Sequence, residues 1–563
     1  MKGASYLEGA NPYPPEVISE YIANGWWQNL TYGDILDQST ERYLSKIAVI
    51  DETTQLTYSQ LREKVDRFAI ALLELGVKKY DRLLLQLPNR HEFVIVYYAM
   101  QRIGAVPMLA IPRHGYREMS HFFMLTEPVG WIVPLRDRAY EFSPLIDQVR
   151  PEAKSLKHLI MIEDGEKLPV GALSLEKLIA DVRLSDYPID YLKQFQPDPN
   201  DVALILPTGG TTGLPKGVPR THNSYLAWSR YTMMGLSDMS PEHIIGLATP
   251  IGHAMAQGSV TRSILMGAAL AVIAVPQARE IMESIQKNKI TFLALVPTQL
   301  EDILNHPDLE KYDFSSLRIL VTAGAALRPE TAQKAQEFFN QFGTDFRGSG
   351  FGSTEGPTAV HSVGESVPPE IFRTSVGKPI CGGDHWKVID EQERELPTDS
   401  EGELVAKGPS VFSGYYKSEA ENKEIFSSDG YYKMGDLGKI DEEGHIFITG
   451  RKKDIIQRGG EGMVPSEIES LLYMHPDIEA ASVVAMPDAR LGEKACAYVV
   501  LRPGKTLDLY TMVDFLKGLG AGKLLLPERL ETVGELPKTP LNKVDKKALR
   551  QDIEERLKKE GVV

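Results

Sequence analysis

The segment LPTGGTTGLPKGVPRTH, residues 206–222, sets three glycines, three threonines and one lysine within ten residues, behind the apolar run 202–205. Backbone rich in glycine lets N–H groups converge on an anion without side-chain obstruction. Gly209 and Gly210 supply that freedom, Thr208, Thr211 and Thr212 add hydroxyl donors, and Lys216 adds a mobile positive charge. Together they suit a polyphosphate tail. The phosphate loop that ends in Gly-Lys-Ser/Thr at a helix start is excluded, because Lys216 stands between Pro215 and Gly217. Pro219 keeps a helix from starting at the lysine, so the loop is expected to join two strands as a hairpin. Asn223 is then the expected cap of the following helix.

Three further clusters could do chemistry. In GSGFGSTEG (348–356), Gly350 and Gly352 let backbone pass close to a flat ligand, Thr354 can donate to a phosphate oxygen, and Glu355 can hold Mg²⁺. GYYKMGD (430–436) ends on Asp436, whose carboxylate can accept from two ribose hydroxyls. In LPKTPLNKVDKKALR (536–550), Lys543 follows a Pro/Asn turn and precedes a helix. Taken singly, each is also what an ordinary glycine turn, a turn aspartate or a solvated lysine looks like.

The elements that must position these residues alternate. Thr57-Tyr58-Ser59-Gln60 reads as a capping box opening an amphipathic helix with Leu61, Val65, Phe68 and Leu72 on one face. Strands are expected at 83–87, 106–111, 131–134, 268–275, 291–296 and 317–321. Helices are expected near 117–125, 279–287, 298–305 and 329–339, with a further capping signal at Asn89–Glu92. Such alternation implies mostly parallel sheets covered by helices. From about 376 to 448 the texture changes to short strands and Gly/Asp turns, and after GRKKD (450–454) smaller mixed elements resume. A domain boundary is expected at 452–454, a charged joint after a strand.

A chain of 563 residues is too long for one core. Its net charge of -15 argues against a broad nucleic-acid groove. The two cysteines, Cys381 and Cys496, are far apart, which fits a reducing compartment and no disulfide framework. No secretory signal opens the chain and no apolar run is long enough to span a membrane, so a cytoplasmic location is expected.

Taken in order, LPTGGTTGLPKGV, TPIGHA, VTAGAAL, GFGSTEG, GYYKMGD, GRKKDIIQRGGEGMVPSEIE and PKTPLNKVDKKAL resemble the adenylate-forming superfamily: acyl-CoA synthetases, aryl acid ligases, peptide-synthetase adenylation domains and firefly luciferase. The likeness covers nearly the whole chain. The opening NPYPPEVISEYIANGWWQNLTYGDIL and QLPNRHEF look like 2,3-dihydroxybenzoate–AMP ligases, and like some cyclohexanecarboxylate and benzoate CoA ligases. The resemblance implies an α/β fold. A large N-terminal domain, 1–452, would hold two helix-covered sheets and a small β-barrel. A small mobile α+β domain, 453–563, would follow, hinged at Lys453.

It also implies two half-reactions. A carboxylate attacks the α-phosphorus of ATP to give an acyl-adenylate and pyrophosphate, and a thiol then displaces AMP. The implied cofactors are ATP, Mg²⁺ and a thiol co-substrate, either CoA or the phosphopantetheine of a carrier protein. Residues 208–212 and Lys216 would hold the β- and γ-phosphates, with Thr212 and Lys216 foremost. Thr354 would touch the α-phosphate and Glu355 would hold Mg²⁺. Gly350, Phe351, Gly352 and Ser353 would lie beside the nucleotide, Gly324, Ala325 and Ala326 would wall the adenine and acyl group, and Asp436 and Arg451 would take the ribose. Lys543 would bridge carboxylate and α-phosphate, while Gly459 and Gly460 would line the thiol tunnel.

The acid pocket departs from the dihydroxybenzoate pattern. The implied pocket residues are His253, Ala254 and Gln257, and alanine stands where those ligases carry the asparagine that reads the 2-hydroxyl. A pocket built for a hydroxyl does not simply drop its partner. The expected activity is therefore a carboxylate–CoA ligase for a less polar aromatic or alicyclic acid, the alternative being an aryl-acid–AMP ligase that loads a carrier protein. A monomer or homodimer is expected, with no nucleic-acid partner.

Overall fold

The computed structural model describes residues 6–163, 165, 167–208, 214–325, 327–362, 365, 367–458, 461–539 and 543–561. Contacts divide them into two compact units: residues up to 208, 214–385 and 407–424 in the first, 386–406 and 425 onward in the second. The boundary expected at 452–454 falls inside the second unit.

The first unit carries two large sheets and, among the described residues, a two-stranded antiparallel one, Arg136–Asp137 with Tyr140–Glu141. In one large sheet, five parallel strands (Val106–Ala110, Arg82–Gln86, Gly130–Pro134, His158–Ile162, Ala172–Ser174) are extended by Val202–Pro207, to which Gly217–Thr221 is added antiparallel. In the other large sheet, Asp345–Gly352, Ile319–Ala323, Phe292–Leu295, Ile244–Leu247, Ala269–Val272 and Ile47–Ile50 run parallel, with short antiparallel strands at both edges. The apolar runs read as buried strands are buried on both faces, as helix-covered parallel sheets require. Helix His91–Arg102 is buried from Glu92 to Gln101. That follows from its central sequence, FVIVYYAM, which is apolar on every side.

Local signals behave as their chemistry demands, with two corrections. Thr57 and Gln60 make the reciprocal capping box: Gln60 N–H donates to Thr57 Oγ1 (3.2 Å) and Thr57 N–H to Gln60 Oε1 (2.9 Å). Asn89 does not cap the next helix, whose cap position is Arg90. Its amide instead donates to the carbonyls of Thr249 and Ile273 (both 3.0 Å), and its oxygen accepts from Ile251 N–H (2.8 Å). Asn223 is likewise not the cap of helix His222–Leu236. Thr221 is, its side chain accepting from Ser224 N–H (3.1 Å), because the strand runs on through Thr221 without a loop.

The second unit has a sheet of four strands, His385–Ile389, Gly402–Lys407, Tyr432–Ile440 and Ile446–Arg451, the last three paired antiparallel, where the small barrel was expected. It also has a five-stranded sheet built on the long hairpin Ile478–Asp488 and Gly492–Leu501. Helices Pro465–Tyr473 and Leu509–Gly518 close one core around Ile468, Val483, Ala497 and Leu516. Helix Lys546–Lys559 closes the other through Leu549, Ile553 and Leu557. Among the described residues no helix is long and apolar enough to cross a membrane.

Candidate active site

In the first unit the candidate residues gather at the carboxyl ends of parallel strands, where open α/β sheets bind ligands. Gly324 and Ala325 follow Ile319–Ala323; Ser353, Thr354 and Glu355 follow Asp345–Gly352; and His253 follows the loop after Ile244–Leu247. Strands 319–323 and 345–352 are direct neighbours, with Ala323 opposite Gly350. Gly324 needs its glycine, since φ is 90° there.

The phosphate-loop candidate is the expected hairpin. Val202–Pro207 pairs antiparallel with Gly217–Thr221, and Pro207 lies opposite Gly217. Its base is fastened twice: Thr208 N–H donates to the Lys216 carbonyl (2.9 Å), and Lys216 N–H donates to Thr208 Oγ1 (3.0 Å). Gly209, Gly210, Thr211 and Thr212 lie outside the described residues, as do Ala326, Gly459 and Gly460.

Lys216 reaches two groups absent from the sequence reading. Its ammonium pairs with Glu421 and sits 4.6 Å from the centre of the Tyr415 ring. The Tyr415 hydroxyl donates to Glu355 Oε1 (2.8 Å), so one tyrosine links the lysine and the candidate metal carboxylate. Glu355 is only 8% exposed, and its carbonyl accepts from Phe412 N–H (2.7 Å). Tyr415 and Glu421 lie in FSGYYKSEAEN, which shows no anion-binding pattern; only the fold brings that segment to the hairpin.

Behind Glu355 the turn is held by Arg220. This buried guanidinium donates to the carbonyls of Thr354 (3.1 Å), Ser410 (2.7 Å) and Ser224 (3.2 Å). Burial lowers its pKa. Gly356 is fixed by geometry: φ is 125°, and a Cβ there would stand 1.8 Å from the Ser410 carbonyl oxygen. The nearby Asp384 accepts from the Ser410 N–H and hydroxyl, yet burial pushes it up to about 6.

The acid-pocket candidates occupy the start of helix Ala254–Met266. His253 caps it, Nδ1 accepting from Met255 N–H (3.3 Å), which leaves the neutral ring's proton on Nε2. Gln257 is fully buried and its Nε2 donates to the Ile251 carbonyl. Asn89 grips the same loop through Thr249 and Ile251, a positioning role that the capping reading concealed.

In the second unit, Asp436 and Arg451 face each other across adjacent strands, and Arg451 Nε lies 3.0 Å from Asp436 Oδ1. Lys543 is placed by backbone: its carbonyl accepts from Thr539 N–H (2.7 Å), its N–H donates to Thr539 Oγ1 (3.3 Å), and Asp545 caps the helix that follows. Chiefly burial, then the positive field of Arg451, brings Lys543 down to about 8; Asp436 opposes this and Lys453 adds to it. Lys453 is lowered too, chiefly by partial loss of water although the residue is still exposed, then by Arg451. It lies in the turn Lys452–Asp454, which is held on one side by Lys452 on Glu403 (2.7 Å) and on the other by Asp454 on Arg550 (2.7 Å).

The donor set fits Mg²⁺ with a nucleotide. Glu355 offers one carboxylate oriented by Tyr415, and Mg²⁺ takes one or two carboxylates with phosphate oxygens. When bound, the ion would draw negative charge off the phosphate oxygens.

Comparison with known proteins identifies the family. The family model described as AMP-binding enzyme matches residues 36–416, and that of the AMP-binding enzyme C-terminal domain matches 467–543. The chain is 32% identical to a 2,3-dihydroxybenzoate-AMP ligase of Bacillus subtilis (strain 168), over 98% of this chain and 99% of the relative. It is 31% identical to a salicyl-AMP ligase / salicyl-S-ArCP synthetase of Mycobacterium tuberculosis, over 96% and 94%. Among solved structures, the Mycobacterium smegmatis MbtA apo structure matches with a TM-score of 0.70 and 30% identity, over 97% of this chain and 99% of that one. Two family models in the expected order, and near full-length relatives, establish that the chain belongs to the AMP-binding enzymes of the adenylate-forming superfamily.

Proposed function

We propose that the chain is an aryl-acid–AMP ligase that joins an aromatic carboxylic acid to AMP and then passes the acyl group to a pantetheine thiol on a carrier protein. The observation that carries this reading is the near full-length likeness to relatives named for 2,3-dihydroxybenzoate and salicylate, one of whose names includes the product S-ArCP. Two anions meet in the first step, so neutralising their charge dominates the barrier. Lys216 and Thr208 hold the terminal phosphates, Thr354 the α-phosphate, and Asp436 and Arg451 the ribose. Glu355 holds Mg²⁺, with Tyr415 keeping its carboxylate in place. Lys543 meets the carboxylate and the α-phosphate. Its lowered pKa marks a charge that has lost water and gains most when a phosphate arrives. In the same reading the chain divides at 452–453 with Lys453 as its hinge, a role that needs backbone rotation and no chemistry.

A CoA acceptor with a less polar acid is the second reading, favoured by Ala254 at the head of the pocket helix and by a relative named salicylyl-CoA synthase / salicylate adenylyltransferase. Pyrophosphate release over benzoate, hydroxybenzoates and alicyclic acids, with CoA or a carrier protein as acceptor, separates the two. Aryl thioester formed on the carrier and not on CoA supports the first. Conversion of ATP to ADP alone, or the absence of any acyl-adenylate, sinks both.

A further inference from the structure

Arg262 sits two turns beyond Ala254 on helix Ala254–Met266 and is 3% exposed. Among the described residues it has no carboxylate partner, and its Nε is buried without an acceptor. Its compensation is aromatic: the guanidinium carbon lies 5.7 Å from the centre of the Trp228 ring. A buried charge with an aromatic face and the Tyr225 phenol near it, and no carboxylate among the described residues, is under-compensated. Burial accordingly pulls Arg262 down to about 10.

The guanidinium is folded back along the helix toward the pocket end. A Cβ on Gly258 would stand 2.7 Å from Arg262 Nη2 and 2.8 Å from the Trp228 ring. Residues 254, 258 and 262 recur every four positions, so they share one face, and the charge lies one turn, on the order of 6 Å, beyond Ala254. Two more buried polar atoms on this helix and on its neighbour His222–Leu236 also have no partner, Gln257 Oε1 and Ser229 Oγ.

We propose that Arg262 is a specificity-determining residue that takes an anionic oxygen at the far end of the acid, so that the preferred substrate is an acid carrying a second, distal carboxylate or phenolic oxygen. This rests on the adenylation reading above and deepens it. Ala254 and Gly258 make the near wall small and apolar, while the far end offers a charge that lacks a counter-ion.

The test is acid-dependent pyrophosphate release by the full-length protein with benzoate, 3- and 4-hydroxybenzoate, and benzene-1,3- and 1,4-dicarboxylate. The wild type is expected to favour acids with a distal oxygen over benzoate by at least about tenfold in kcat/KM. The two series within the panel tell a carboxylate from a phenol. Arg262→Met is expected to erase that preference with benzoate turnover kept, and Arg262→Lys to retain part of it. Should Arg262→Met fail to fold, thermal-shift binding of the same acids to wild type and Arg262→Lys gives the same ranking. Benzoate turned over as well as every substituted acid overturns this inference and leaves the adenylation reading intact, as does an equal loss on all acids in the variants. No pyrophosphate release with any acid removes the adenylation reading and this inference with it.

Discussion

Replacing Lys543 by methionine is expected to make the nucleotide-free protein more stable at neutral pH while destroying adenylation. The lysine is held at about 8, chiefly by burial, against an ordinary 10.5. That gap amounts to about 3 kcal/mol at roughly 1.4 kcal/mol per pH unit. Between the two values the unfolded chain keeps the proton and the folded chain has released it. Stability therefore rises with pH across that window, and the penalty is fully present below about 8. Methionine has a similar shape and no charge, so it removes the penalty. Urea midpoints of wild type and Lys543→Met, followed from neutral pH upward, are the assay. The variant should be ahead by up to about 3 kcal/mol near neutrality, and the difference should close toward pH 10.5. A pH-independent difference, or a variant less stable at neutral pH, would refute the buried-charge account. The same account has kcat/KM for adenylation falling above about pH 8 as the free enzyme loses the proton.

Three further outcomes follow from the first unit. Glu421→Gln removes the carboxylate that engages Lys216; both side chains are only half-buried, so ATP affinity measured calorimetrically should tighten by only about two- to fivefold. Tyr415→Phe deprives the buried Glu355 of its hydroxyl donor, which should cost about 1.5–3 kcal/mol and raise the KM for Mg-ATP about tenfold or more, read from ATP titrations at fixed acid. Gly356→Ala puts a Cβ on the Ser410 carbonyl at positive φ, so a loss of at least about 3 kcal/mol is expected in thermal unfolding, with activity falling alongside soluble protein.

What the sequence determined about this protein is local or ordered along the chain. The alternation of strands and helices, the capping box at Thr57, and the hairpin bearing Lys216 follow from periodicity, hydrogen-bond reciprocity and the prolines at 215 and 219. The order of the glycine-rich segments identified the family. Tertiary structure alone decided the partners. Asn89 looked like a cap because a cap and a loop anchor draw on the same side-chain donors and acceptors; folding delivered the Thr249–Ile251 loop to it. Tyr415 and Glu421 lie about two hundred residues beyond Lys216, Arg220 meets Ser410, and Arg262 faces Trp228 with no acid partner among the described residues. Periodicity carries information over a few turns of chain. Which charge ends beside which is settled only when helices and strands pack, and burial then fixes how strongly each pair is felt.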